Sequence, residues 1–210
     1  MLELFLSAFI TLFVVIDPPG CAPIYAGLTQ GASQAQKRAM AIRATVIAGA
    51  ILVGFALFGA GLLGALHIDL ASFRIAGGIM LFMIAIDMVF EKRTERRENR
   101  AEKIRAENAA TPEIEDVSVF PMAMPMLAGP GAIASIMLLE GSADGLVGTL
   151  VVLAALGAVL LLTMLALIAA SPLMKLFGAR VEAVITRLLG VLLAALAAQY
   201  VIDGLKESFF

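Results

Sequence analysis

Two proline-glycine breaks interrupt apolar stretches of the chain, Asp17-Pro18-Pro19-Gly20 and Ala128-Gly129-Pro130-Gly131, and their Pro-Gly pairs lie 111 residues apart in a sequence of 210. Proline has no N–H to donate and clashes with the preceding turn, so each pair frees backbone groups that hydrocarbon cannot satisfy. Such a break is tolerated at membrane depth only where protein or trapped water covers it. Interrupted hydrophobic segments at matching positions in two halves point to the binding site of a secondary transporter. The chain reads as one unit written twice.

Composition agrees with a membrane setting. Hydrophobic residues make up 61% of the chain and charged residues 15%, with mean hydropathy +0.98; soluble domains sit near roughly 45–50% and about 25%. With about 20 apolar residues per span, six spans are expected, at about 3 to 29, 44 to 66, 71 to 90, 117 to 139, 146 to 170 and 181 to 204. Cys21 is the only cysteine, which excludes an intrachain disulfide, and beside the first break it reads as a small packing residue. Met1 to Ile16 lacks a basic leader, so it is expected to be the first half of a span rather than a cleaved signal.

The stretch from Glu91 to Asp116 carries Lys92, Arg93, Arg96, Arg97, Arg100, Lys103 and Arg105 among eight acidic residues, the composition of a solvated linker. It divides the chain into a first three-helix repeat (1–90), a cytoplasmic linker (91–116) and a second three-helix repeat (117–210). With both termini outside, thirteen of the fifteen Lys and Arg residues fall on the cytoplasmic side, and only Arg74 and Lys206 do not. Because three is odd, the second half enters the membrane from the opposite face. A second anchor supports the duplication: Arg74-Ile75-Ala76-Gly77 heads the third span as Arg187-Leu188-Leu189-Gly190 heads the last. The expected fold is therefore all-α and polytopic, with six transmembrane helices in two inverted-topology repeats and helices 1 and 4 broken.

Where a helix resumes after a break, its first N–H groups lack intrahelical partners and its dipole presents positive charge. Asp17 before Pro18 has the form of an N-cap with proline at the first helical position, starting a half-helix toward Thr29. Gly129 and Pro130 play the same parts for a half-helix toward Leu139. The candidate substrate-binding residues are thus Asp17, Pro18, Pro19 and Gly20 with Ala128, Gly129, Pro130 and Gly131. The competing reading is that the prolines only kink two helices for packing. Asp17 is the sharpest residue, since a carboxylate at membrane depth needs a cavity or a partner; it either caps alone or also holds an ammonium, a cation or a proton. Pro121, Pro125 and Pro23 free further carbonyls. Asp87, Asp203, Arg74, Arg187 and His67 read as interfacial, Gln199 and Thr163 as packing polar groups. Gly190, Ala194 and Ala198, and Ala56, Ala60 and Gly64, form small-residue seams. No metal cluster, nucleotide loop or nucleophile triad stands in the sequence, so no enzyme activity, cofactor or nucleic-acid partner is expected.

Ile16-Asp17-Pro18-Pro19-Gly20 with Pro23, Pro125-Met126-Leu127-Ala128-Gly129-Pro130-Gly131, the Arg74 start of the third span and the region Arg187 to Gly204 resemble the signature segments of the MarC family of prokaryotic integral membrane proteins. The resemblance covers all of the chain except the charged linker. It implies six spans in the cytoplasmic (inner) membrane and, since a small neutral amino acid transporter belongs to that family, alternating-access transport of glycine- or alanine-sized substrates, coupled to protons. The substrate carboxylate would then meet the resumed half-helices near Gly20 and Gly131, and its ammonium Asp17 or freed carbonyls. Export of other small metabolites or drugs, a channel, and a structural membrane protein remain the alternatives.

Overall fold

The longest early helix shows how elements begin here. Ser33 has extended backbone, its hydroxyl accepts from the Gln36 N–H at 3.3 Å, and the Gln36 Oε1 accepts from the Ser33 N–H at 2.9 Å. This reciprocal capping box starts a helix ten residues ahead of the apolar run. At about 1.5 Å per residue the helix outruns the roughly 30 Å hydrocarbon slab. Its first turns, with Lys37, Arg38 and Arg43, are the part that charge assigns to water, which is why apolar length alone placed the start near 44.

The computed structural model describes residues 1–90 and 116–209, and for 175–182 the backbone alone. Among the described residues every regular element is helical: α1 (Leu2–Ile16), α2 (Pro18–Leu28), α3 (Gln34–Ala65), α4 (Leu70–Val89), α5 (Ser118–Leu127), α6 (Pro130–Gly141), α7 (Gly145–Ile168) and α8 (Ala170–Phe209). The charged stretch 91–115 and the side chains of Lys175 and Arg180, on which most of the orientation argument rests, lie outside the described residues. Five segments are long and apolar enough to cross a membrane: Leu2–Leu28, Gln34–Ala65, Leu70–Val89, Gly145–Ile168 and Ala183–Phe209. The pair α5 and α6, bent by 53°, makes a sixth when counted as one span.

The broken first span is the centre of the bundle. Buried residues make up 56% of it, against 22 to 33% for the other four, whose outward faces present Leu, Ile, Val and Phe as lipid contact requires. Packing partners pair off: α1 lies on α7 and α5 on α3; α2 lies on α8 and α7, and α6 on α4 and α3; α4 and α8 form the most extensive contact. Exchanging each element for the one four places along returns these principal pairs, whereas the lesser contacts of α1 with α8, α6 with α7 and α7 with α8 have no counterpart of like extent.

The α4–α8 contact is close because glycines line it. A β-carbon on Gly78 would come within 2.8 Å of the Ala197 carbonyl oxygen, and one on Gly204 within 2.9 Å of that of Ala71. On α8 the buried face runs Thr186, Gly190, Leu193, Ala197 and Gly204, and on α3 it runs Leu52, Ala56, Gly59 and Leu63. The expected seams are corrected accordingly: Ala198, Ala60 and Gly64 are exposed. In a helix that is apolar all round, small residues recur at several faces, and only the neighbours decide which face is used.

Candidate functional site

At the first break the chain turns on Asp17, whose backbone is left-handed (φ 59°, ψ 64°), a conformation that Asp and Asn tolerate better than most side chains. One residue ends one helix and starts the next. Its N–H donates to the Phe13 carbonyl at 2.9 Å, and its Oδ1 accepts from the Gly20 N–H at 3.1 Å. Its carbonyl takes the Cys21 N–H at 3.0 Å. The carboxylate is only 1% exposed. Gly20 is required here because a β-carbon would fall on that carboxylate. Cys21 is fully buried and directs its thiol at the Ile16 carbonyl, 3.4 Å away, as a packing residue does.

This arrangement corrects one expectation. Of the first three positions of α2, Pro18 and Pro19 have no N–H and Gly20 gives its own to Asp17. The start of α2 therefore offers no amide hydrogen to an anion, and what the first break presents is a carboxyl group. The second break is the opposite. Gly129 has extended backbone, the first intrahelical bond of α6 runs from the Ile133 N–H to the Gly129 carbonyl at 3.0 Å, and among the described residues no side chain caps this end. Gly131 and Ala132 thus start α6 with N–H groups that lack intrahelical acceptors. The two ends complement one another: a carboxylate at one, a bare helix N-terminus at the other.

They are also neighbours. A β-carbon on Gly131 would stand 3.4 Å from Val15, two residues before Asp17, and 2.5 Å from Ile84 of α4. Ala128, Gly129 and Gly131 are buried, as are Pro18 and Gly20; Pro19 is half-buried, and Pro130 is exposed on the surface of the single chain. Gly129 cannot carry a side chain either, since a β-carbon would fall on the Pro125 carbonyl oxygen.

The approach to the second break is not a regular α-helix. In α5, Phe120 and Met124 have extended backbone, each directly before a proline, and the Met122 and Ala128 N–H groups reach back five residues to Val117 at 3.2 Å and Ala123 at 2.9 Å. The expected freeing of carbonyls around Pro121 and Pro125 thus takes the form of a widened, π-type turn. Two further polar groups went unread in the sequence. Ser135, one turn into α6, is fully buried with no partner for its hydroxyl, and Glu140, at the end of α6, has a buried Oε2 in the same condition. Each stands alone in an apolar run, which was the available signal.

Of the residues expected to be interfacial, Arg74, Asp87, Asp203 and His67 stand near helix ends, and Arg187 lies within α8. Arg74 bonds Glu207 of α8 at 2.6 Å and Ser142 at 3.2 Å, while His67 is exposed at the α3–α4 corner. Gln199 reaches Asp203 on its own helix at 2.8 Å, and the buried Thr163 hydroxyl donates to the Val159 carbonyl at 2.7 Å, so both are satisfied locally. Asp87 is half-buried and Arg187 exposed.

Spans of lipid length, outward apolar faces and helices broken at buried sites define a multi-pass integral membrane protein. A family model described as "MarC family integral membrane protein" matches residues 2–209. The chain belongs to the MarC family. It is 36% identical over 206 residues to a UPF0056 membrane protein of Archaeoglobus fulgidus, covering 98% of this chain and 94% of the relative. It is 32% identical to the UPF0056 membrane protein YvbG of Bacillus subtilis, covering 100% and 97%. It is 29% identical to the UPF0056 inner membrane protein YhgN of Escherichia coli, covering 96% and 95%. No solved structure matches significantly.

Proposed function

We propose that this protein is a secondary transporter of small neutral amino acids in the prokaryotic cytoplasmic membrane, working by alternating access of two inverted three-helix halves and coupled to protons. The observation that carries the reading is a buried Asp17 carboxylate at one break and an uncapped N-terminus of α6 at the other, with Gly131 of α6 lying against Val15, two residues before Asp17. A zwitterion has both counterparts: its ammonium meets Asp17, and its carboxylate meets the Gly131 and Ala132 amides and the positive end of the α6 dipole. The partner exchange between halves supports rocking of one against the other, and the inner-membrane name of YhgN supports the location.

Counterflow in proteoliposomes tests it. Vesicles loaded with unlabelled alanine should accumulate labelled glycine or alanine transiently and saturably, and a range of drug-like compounds should not compete. Flux that rises linearly with concentration would identify a pore instead, and absence of any amino-acid flux would end the proposal.

A further inference from the structure

Ser135 is fully buried, and its hydroxyl has no hydrogen-bond partner. Elsewhere in the bundle Thr29, Thr45, Ser142 and Thr163 each donate to the carbonyl four residues back, the ordinary way a helical hydroxyl is satisfied without water. Ser135 makes no such bond. Its hydroxyl therefore carries an uncompensated desolvation cost, which an acceptor brought to it removes.

The neighbours of α6 fix the side on which this hydroxyl lies. Ala134 and Leu138 lie against Gly77 of α4, and Met137 lies against Gly59 of α3. Gly131 lies against Val15 of α1, with Ile84 of α4 beside it. At 3.6 residues per turn, Ser135 stands one turn on from Gly131, about 40° round the helix from it and roughly opposite Met137. A helical side chain leans over the turn N-terminal to its own Cα. The Ser135 side chain thus leans over the opening turn of α6, where no side chain caps the helix and the Gly131 and Ala132 N–H groups lack intrahelical acceptors. A bare helix start and an idle buried hydroxyl converge on one place.

We infer that Ser135 is the residue that fixes a substrate carboxylate, its hydroxyl donating to the same small anion that the Gly131 and Ala132 amides receive. The inference rests on the amino-acid reading above and names the side chain that selects the acidic end. Ile84 closes the place in this structure. Only its terminal methyl nears the β-position of Gly131, at 2.5 Å, and the end of a flexible side chain swings aside for a guest.

The test is thermal unfolding of the full chain in detergent, titrated with glycine, with glycinamide hydrochloride and with sodium acetate, each against sodium chloride at equal ionic strength. Glycine should raise Tm saturably by a few degrees, as a ligand selective for the native state does, and glycinamide, which lacks the carboxylate, should do less. In Ser135→Ala the apparent affinity for glycine should fall about tenfold, the loss of a hydrogen bond to a charged group. The ligand-free Tm of that variant should hold or rise, because a buried group without a partner has been removed. Ser135→Cys, close in size but a weak donor, should fall between and serves in place of Ser135→Ala should that variant not fold. Ser142→Ala, at the far end of α6, should leave the affinity intact. If acetate stabilises the protein through Ser135 and glycine does not, the carboxylate site stands and the amino-acid reading falls. If glycine stabilises wild type and Ser135→Ala equally, or Ser135→Ala lowers only the ligand-free Tm, the amino-acid reading stands and this assignment is overturned. No saturable rise with glycine or acetate overturns both.

Discussion

Asp17 serves two helices with one side chain, and that doubling makes charge separable from structure. Asparagine caps a helix start about as well as aspartate and accepts the left-handed backbone. Asp17→Asn should therefore keep unfolding free energy within about 1 kcal/mol of wild type while glycine counterflow falls at least about tenfold, the equivalent of about 1.4 kcal/mol; equal loss of both would leave capping as its sole role. Gly131 needs a different experiment, because its β-position is already occupied by Ile84 of α4. Gly131→Ala should lower stability by about 1–3 kcal/mol through overpacking, and Ile84→Ala in the same chain should restore it. If counterflow stays low in the restored double variant, the space beside Gly131 serves the substrate and not packing alone.

At the scale of elements, helix breaks were readable because proline and glycine act locally: Pro18, Pro19 and Pro130 have no N–H to carry on a preceding helix and sit where a new one starts, although Pro23 is accommodated inside α2. That the first break would present charge and the second amides was not readable, since it depends on whether Asp17 reaches the Gly20 N–H. The seams were misplaced for a related reason. Gly190 was recognised as small, but whether Ala194 or Leu193 shares its face depends on where α4 lies. The glycines of the α4–α8 crossing give the measurable consequence. Gly78→Val should lower Tm sharply, costing about 1–3 kcal/mol or more, because the Ala197 carbonyl and the Val201 N–H stand at 2.8 and 3.0 Å from its β-position. Gly61→Val, with open space around it, should cost far less; comparable losses would mean that intrinsic helix propensity, not the crossing, sets the penalty.

Over the whole molecule, ion pairs among the described residues join distant parts of the chain. Arg43 of α3 pairs with Asp116 just before α5, and Arg74 of α4 pairs with Glu207 of α8. They lie at opposite ends, because α3 runs from one to the corner beside the other. Burial works to raise the Asp116 carboxyl, but hydrogen bonds from Ser118 and the charge of Arg43 outweigh it and hold the group below its ordinary value. A carboxyl lowered on folding stabilises the native state above its unfolded pKa and loses that contribution as pH falls through the folded one. Wild type should thus exceed Asp116→Asn in stability at neutral pH by no more than about 1 kcal/mol, as an exposed pair does, and the gap should close below the usual carboxylate range. A gap that is constant with pH would assign it to something other than this charge. Five apolar spans, with a sixth when the bent pair counts as one, and two broken helices were legible from apolar length and Pro-Gly spacing; the pairing of Arg43 with Asp116 was not, because 73 positions separate them and nothing local links the two.

Cys21, sealed one turn past the first break, carries the only sulfhydryl of the chain. The sequence therefore already holds a single chemical reporter at the point that the proposed transport cycle would have to open, with no second thiol in it to confuse the signal. Alkylation by a small maleimide in sealed vesicles should be slow at rest and should change in rate when glycine is added, and comparing permeant with impermeant reagents would tell from which side the door swings.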